Sequence, residues 1–125
     1  MSDAERPVWP LADGAATERL GALIGQTCPW QADQPLSVHL RGELGAGKTT
    51  LVQGLLKALG VTAVVRSPTY SLFETYAVAQ GTVVHADLYR LREPKELEHV
   101  GLRDEYRHGV LLLIEWPERG GNALP

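Results

Sequence analysis

The stretch Gly42-Glu43-Leu44-Gly45-Ala46-Gly47-Lys48-Thr49 is a complete G-x-x-x-x-G-K-T pattern, and it constrains the fold more than any other part of the chain. Its glycines allow the backbone to take positive φ and turn successive N–H groups toward one anion. Lysine and threonine at the last two positions supply a cation for terminal phosphates and a hydroxyl for Mg²⁺. A helix opening at the loop adds the positive end of its dipole. Such a loop works only between a strand and a helix. Leu36, Val38 and Leu40 alternate before it, and Leu51, Val52, Leu55, Leu56 and Leu59 follow at helical spacing up to Gly60, a C-terminal stop. The predicted nucleotide contacts are Glu43, Leu44, Gly45, Ala46, Gly47, Lys48, Thr49 and Thr50.

The rest of the chain supports an α/β reading. Asp13 is placed to N-cap a helix with Ala16, Leu20, Leu23 and Ile24 on one face. The valine-rich segment 61–66 predicts a second strand, and Ser67-Pro68-Thr69-Tyr70 a turn. Residues 72–77 and 82–86 predict a hairpin around Val78-Ala79-Gln80-Gly81. Glu93-Pro94 reads as a helix start and Gly101 as its end. Val110-Leu111-Leu112-Leu113-Ile114 is a continuous apolar run, the pattern of a strand buried on both faces of a parallel sheet. The expected fold is a three-layer α/β P-loop NTPase domain with helices on both faces of a mixed, mostly parallel sheet. Its central parallel strands include 36–41 and 110–114, with an antiparallel hairpin.

The length of 125 residues fits a single domain over 1–125. A net charge of −3 argues against holding nucleic acid by phosphate neutralisation, so any nucleic-acid role is expected to be indirect. Cys28 is the only cysteine, which fits a reducing cytosol. The N-terminus is acidic without an apolar core, unlike a signal peptide, and no run approaches the roughly 20 apolar residues of a membrane span. A cytoplasmic protein without a membrane partner is expected.

To act on a nucleotide, the loop needs a metal-holding acid, a group that senses the γ-phosphate, and a group that orders the attacking water. Acids at the carboxyl ends of strands are the places to look. Asp87 ends the strand Val83-Val84-His85-Ala86-Asp87, and Glu115 ends the apolar run. Each can hold Mg²⁺ or orient water; a solvated strand-end acid is the bland alternative. Thr69, restrained by Pro68, can switch with the γ-phosphate or simply close a turn. Lys48, Thr69, Asp87 and Glu115 are thus the candidate catalytic residues, and Thr49, Glu115 and Asp87 the candidate metal ligands, with Glu115 preferred. His85 shares a strand face with Asp87 and can bond phosphate or an acid, though a satisfied half-buried histidine is the commoner outcome. Arg66 and Arg90 are the best cations for developing phosphate charge. Trp116 either shields the site or only packs. The sequence lacks Asn-Lys-x-Asp, which favours ATP over GTP, and has no zinc-spaced Cys/His cluster.

Several motifs recur in order: the phosphate loop, Ser67-Pro68-Thr69-Tyr70, His85-Ala86-Asp87-Leu88-Tyr89-Arg90, Glu96-Leu97 with Gly101-Leu102-Arg103-Asp104, and Glu115-Trp116-Pro117-Glu118. Together they resemble the TsaE (YjeE) family, the bacterial ATPase subunit of the tRNA threonylcarbamoyl-adenosine machinery, from about Pro10 to Pro125. The resemblance implies a cytoplasmic P-loop ATPase that works with TsaB and TsaD on adenosine 37 of tRNA, hydrolyses ATP slowly with Mg²⁺, and is not itself the transferase. It implies Thr69 as switch, Asp87 and Glu115 as metal- and water-handling acids, and a weaker adenine contact from residues 13–17. Members of the family continue about 25–30 residues past the Leu-Pro at this chain's end, enough for a β-hairpin, so those strands are expected to be absent here. A small-molecule P-loop kinase and a nucleotide-gated binding module without turnover are the competing readings. The kinase is disfavoured by the absence of an Arg-rich lid segment.

Overall fold

The continuous apolar run lies where its pattern demands, at the centre of the sheet. The computed structural model describes residues 8–30, 34–68 and 71–125. Strand β4, Val110–Glu115, is buried at every position. Both its neighbours run parallel to it: β1, Leu36–Leu40, and β3, Gly81–Asp87. An antiparallel β2, Phe73–Val78, completes a four-stranded sheet in the order β1-β4-β3-β2. The sheet is thus mixed and mostly parallel, as expected. Of the two strands expected at its centre, only 110–115 is there. Among the described residues β1 is an edge strand, half-buried along most of its length, which suits its alternation of Leu36, Val38 and Leu40 with Ser37 and His39.

Helices close both faces. On one, Val83, Leu111 and Leu113 pack with Val52, Leu55 and Leu56 of α2, Lys48–Ala58. On the other, Val84, Ala86, Leu112 and Ile114 pack with Leu97 of α3, Glu96–Val100, and Leu102 of α4, Leu102–Glu105. Fully burying one such leucine contributes about 1.5–3 kcal/mol. Helix α2 ends as expected: Gly60 takes φ 94°, its N–H reaches Lys57 O, and the Val61 N–H reaches Leu56 O at 3.0 Å. This pair of bonds is the Schellman arrangement.

The helix α1, Gly14–Thr27, begins at Asp13, whose Oδ1 accepts the Ala16 N–H at 2.9 Å. Asp13→Ala is expected to lose about 1 kcal/mol of stability, read by chemical denaturation. The expected apolar face of α1 needs correction, because Leu23 is 52% exposed while Gly21 and Gly25 are buried. The two helices meet backbone to backbone: a Cβ on Gly21 would stand 2.0 Å from Leu51 O, and one on Gly54 2.1 Å from Glu18 O. Hydrophobic spacing cannot register a contact made by absent side chains.

Other local differences have local causes. Residues 61–66 form no strand. Val64 is 76% exposed, and the Val65 carbonyl accepts from Gln53 Nε2 of α2 at 2.8 Å instead of joining a ladder. Pairing of Val78 with Gly81 shortens the hairpin loop to Ala79-Gln80. Helix α3 starts at Glu96 rather than at Pro94, which lies in the preceding turn, and stops at Gly101 with φ 78°. Among the described residues no helix is long and apolar enough to cross a membrane.

Candidate functional site

The parallel strands β1, β3 and β4 end together, and the phosphate loop leaves β1 beside the ends of the other two. This is where open α/β sheets bind ligands. A cleft of about 240 Å³ lies there, lined by Leu44, Gly45, Ala46, Gly47, Lys48, Thr49 and Thr50, with Ser67, Asp87, Tyr89, Glu115 and Trp116 opposite. Glu43, expected with them, does not line it; its carbonyl accepts the Ala46 N–H at 3.1 Å and closes the turn. Gly47 N-caps α2 at φ 101°, a conformation that a side chain strains, and an added Cβ would touch Thr17 Cγ2 of α1 at 3.4 Å. The loop is therefore seated against the start of α1.

Three side chains converge at the base of the cleft. Thr49 Oγ1 lies 3.1 and 3.0 Å from Glu115 Oε1 and Oε2, and 2.8 Å from Ser67 Oγ. Its one proton serves the carboxylate, so Ser67 donates to Thr49. Glu115 is only 3% exposed and also accepts from His85 Nε2 at 2.6 Å. A hydroxyl and a carboxylate side by side are hard oxygen donors of the kind Mg²⁺ takes together with nucleotide phosphates. Among the described residues no group of three or more His, Cys, Asp or Glu assembles, so a metal here would depend on the ligand's own oxygens.

Asp87 pairs in register with Glu115 and lines the same cleft, but its Oδ1 accepts the Tyr89 N–H at 3.0 Å and shapes the turn after β3. Thr69, the expected switch, lies outside the described residues. Arg90 lines a neighbouring cleft rather than this one, and Arg66 is exposed in the segment before Ser67. Lys48 Nζ donates to the Gly42 carbonyl and stands 3.6 Å from the centre of the Trp116 ring.

Trp116 is the one non-glycine residue with positive φ among the described residues, at φ 58° and ψ 49°. The left-handed backbone costs roughly 1–2 kcal/mol, and the following Pro117 disfavours the right-handed alternative. Contacts hold it there. Lys48 sits over the ring, Tyr89 packs at 5.1 Å, and the Arg119 guanidinium lies 5.6 Å from it and 5.0 Å from Tyr89. Cation–π contacts of this kind contribute about 0.5–2 kcal/mol each. An incoming phosphate would have to compete with the indole for Lys48.

Arg119 and Ser67 were not singled out from sequence. Arg119 follows Trp116 by three residues across the 3₁₀ turn Pro117–Arg119, and such a turn stacks positions three apart. His85 departs from the half-buried expectation by being wholly enclosed, and of its two possible partners it takes the acid.

Residues 11–125 match the family model described as threonylcarbamoyl adenosine biosynthesis protein TsaE. A relative from Haemophilus influenzae, a tRNA threonylcarbamoyladenosine biosynthesis protein TsaE, is 47% identical over 93 residues, covering 74% of this chain and 59% of its own length. One of the same name from Nostoc is 42% identical over 114 residues, 87% of this chain and 67% of the relative. The chain thus spans about three-fifths to two-thirds of these relatives. The crystal structure of Bacillus subtilis YdiB superposes with a TM-score of 0.70 at 26% identity, covering 94% of this chain and 68% of that one. With the family model spanning all but the first ten residues and the phosphate loop folded as the motif requires, the chain belongs to the TsaE family of threonylcarbamoyl adenosine biosynthesis proteins.

Proposed function

We propose that this chain binds ATP with Mg²⁺ in the phosphate-loop cleft and hydrolyses it slowly. On this reading it is the cytoplasmic ATPase subunit that works with TsaB and TsaD to form threonylcarbamoyladenosine at adenosine 37 of tRNA, meeting tRNA only through that complex. The observation that supports this most is the convergence of Lys48, Thr49 and Glu115 at the N-terminus of α2. The loop N–H groups and Lys48 would bind the phosphates, while Thr49 and Glu115 would hold the metal. Held by Thr49 and Glu115, Mg²⁺ would neutralise the negative charge of the nucleotide phosphates. Asp87, at the next strand end, would orient the attacking water. Thr69 would sense the γ-phosphate, and partner affinity measured with a non-hydrolysable ATP analogue and with ADP tests that role: equal affinities remove it.

Glu115→Gln keeps the shape of the site and removes its charge. Turnover is expected to fall at least about tenfold more than ATP affinity, because the carboxylate matters most where charge develops. Phosphate release and calorimetry, both with TsaB and TsaD present, read the difference. The deciding experiment for the whole reading is to mix the chain with TsaB and TsaD and score ATP hydrolysis and modified tRNA together. Neither product appearing would remove the reading. A second cleft, of about 490 Å³ beyond Asp87 and lined by Pro68, Leu72 and Arg90, keeps the kinase reading in play. Transfer of phosphate to a small acceptor instead of water would favour it.

A further inference from the structure

His85 is fully buried on β3, facing the same side of the sheet as α2. Its Nε2 donates to Glu115 Oε2 at 2.6 Å, and its Nδ1 is buried with no hydrogen-bond partner among the described residues. Leaving a buried nitrogen without a partner is unfavourable. On this face Val83, two residues before it on the strand, and Leu113, in register on β4, are apolar, while Asp87, two residues after it, lines the cleft. A residue serving packing alone would be apolar here too. The imidazole is kept at a cost on one side and used on the other, and among the described residues its hydrogen-bond partner is the carboxylate.

We propose that His85 is a positioning residue: its Nε2–H fixes Glu115 Oε2, so that the carboxylate stays turned to Thr49 and the phosphate cleft, ready for Mg²⁺. This rests on the reading of the cleft as a Mg²⁺–nucleotide site. Thr49 alone cannot hold the orientation, because its single proton is shared between both carboxylate oxygens. Partners of this outer kind set metal affinity without touching the metal.

The test is calorimetric titration of ADP into this chain, without Mg²⁺ and across a Mg²⁺ series, for wild type, His85→Leu and His85→Gln. Glutamine carries its amide nitrogen near the place of Nε2, whereas leucine keeps the volume and loses the donor. For His85→Leu, ADP affinity without Mg²⁺ is expected to stay within about twofold of wild type while the Mg²⁺ concentration for half-effect rises roughly 10–100-fold. His85→Gln is expected to restore most of that shift. A wild-type Mg²⁺ dependence in His85→Leu, or an equal shift in both variants, overturns the positioning role and leaves the nucleotide site standing. A wild-type chain that binds no ADP with or without Mg²⁺ overturns the site reading and this inference with it. If circular dichroism shows His85→Leu unfolded, His85→Asn, which places its amide near Nδ1 instead, takes its place under the same criteria.

Discussion

Lys48→Ala is expected to fold normally, bind ATP about 10–100-fold more weakly and lose at least about 100-fold in turnover. The binding figure follows from removing a charged hydrogen-bond donor, about 1.5–3 kcal/mol. The turnover figure follows from removing a preorganised donor aimed at developing charge. Among the described residues lining the phosphate cleft, Lys48 is the only cationic one, and Arg119 stands beyond them against the Trp116 ring. Its present partners are a carbonyl of its own loop and the face of Trp116, neither of which holds the sheet together. Calorimetry with ATP and a phosphate-release assay in the presence of partners give the two numbers. Wild-type values for both would dismiss the cleft as the nucleotide site.

The largest expected loss of stability comes from a single methyl group. Gly54→Ala replaces the poorest ordinary helix former by the best, which in an exposed helix would gain about 1 kcal/mol. Here the new Cβ would stand 2.1 Å from Glu18 O and 2.7 Å from Glu18 C and Cα, all backbone. No side chain can swing aside, so α1 must move away from α2 along their contact. Overpacking of this kind costs about 1–3 kcal/mol and occasionally more. Set against the propensity gain, a net loss of about 2 kcal/mol is expected, or a fall in Tm of roughly 5–10 °C. Gly60→Ala, at φ 94° with open space around it, is a control for backbone strain without overlap. An unchanged Tm in Gly54→Ala would contradict the close approach of the two helices.

Sequence revealed what depends on periodicity and on end signals. The run 110–114 announced the central strand, the alternation at 72–86 the hairpin, and Asp13, Gly60 and Gly101 the ends of helices. It failed where valines are rich but unpaired, at 61–66, and where the packing surface is glycine, at 21, 25 and 54. In the cleft, residues 44–50, Asp87 and Glu115 were legible because the motif and the strand ends locate them. Ser67 as donor to Thr49, the enclosure of His85 and the stacking of Arg119 on Trp116 were not. Each depends on which elements stand side by side in space, and single-chain patterns do not encode that.

Trp116 has one consequence for light as well as for binding. The chain holds three tryptophans. Trp9 is 60% exposed, Trp30 packs against the core near Gly81, and Trp116 alone of the three lines the phosphate cleft with an ammonium 3.6 Å above its ring. Drawing that ammonium onto a phosphate changes the field and the quenching at one indole and leaves the other two as a constant background. The chain therefore carries its own fluorophore at the spot where occupancy of the cleft is decided.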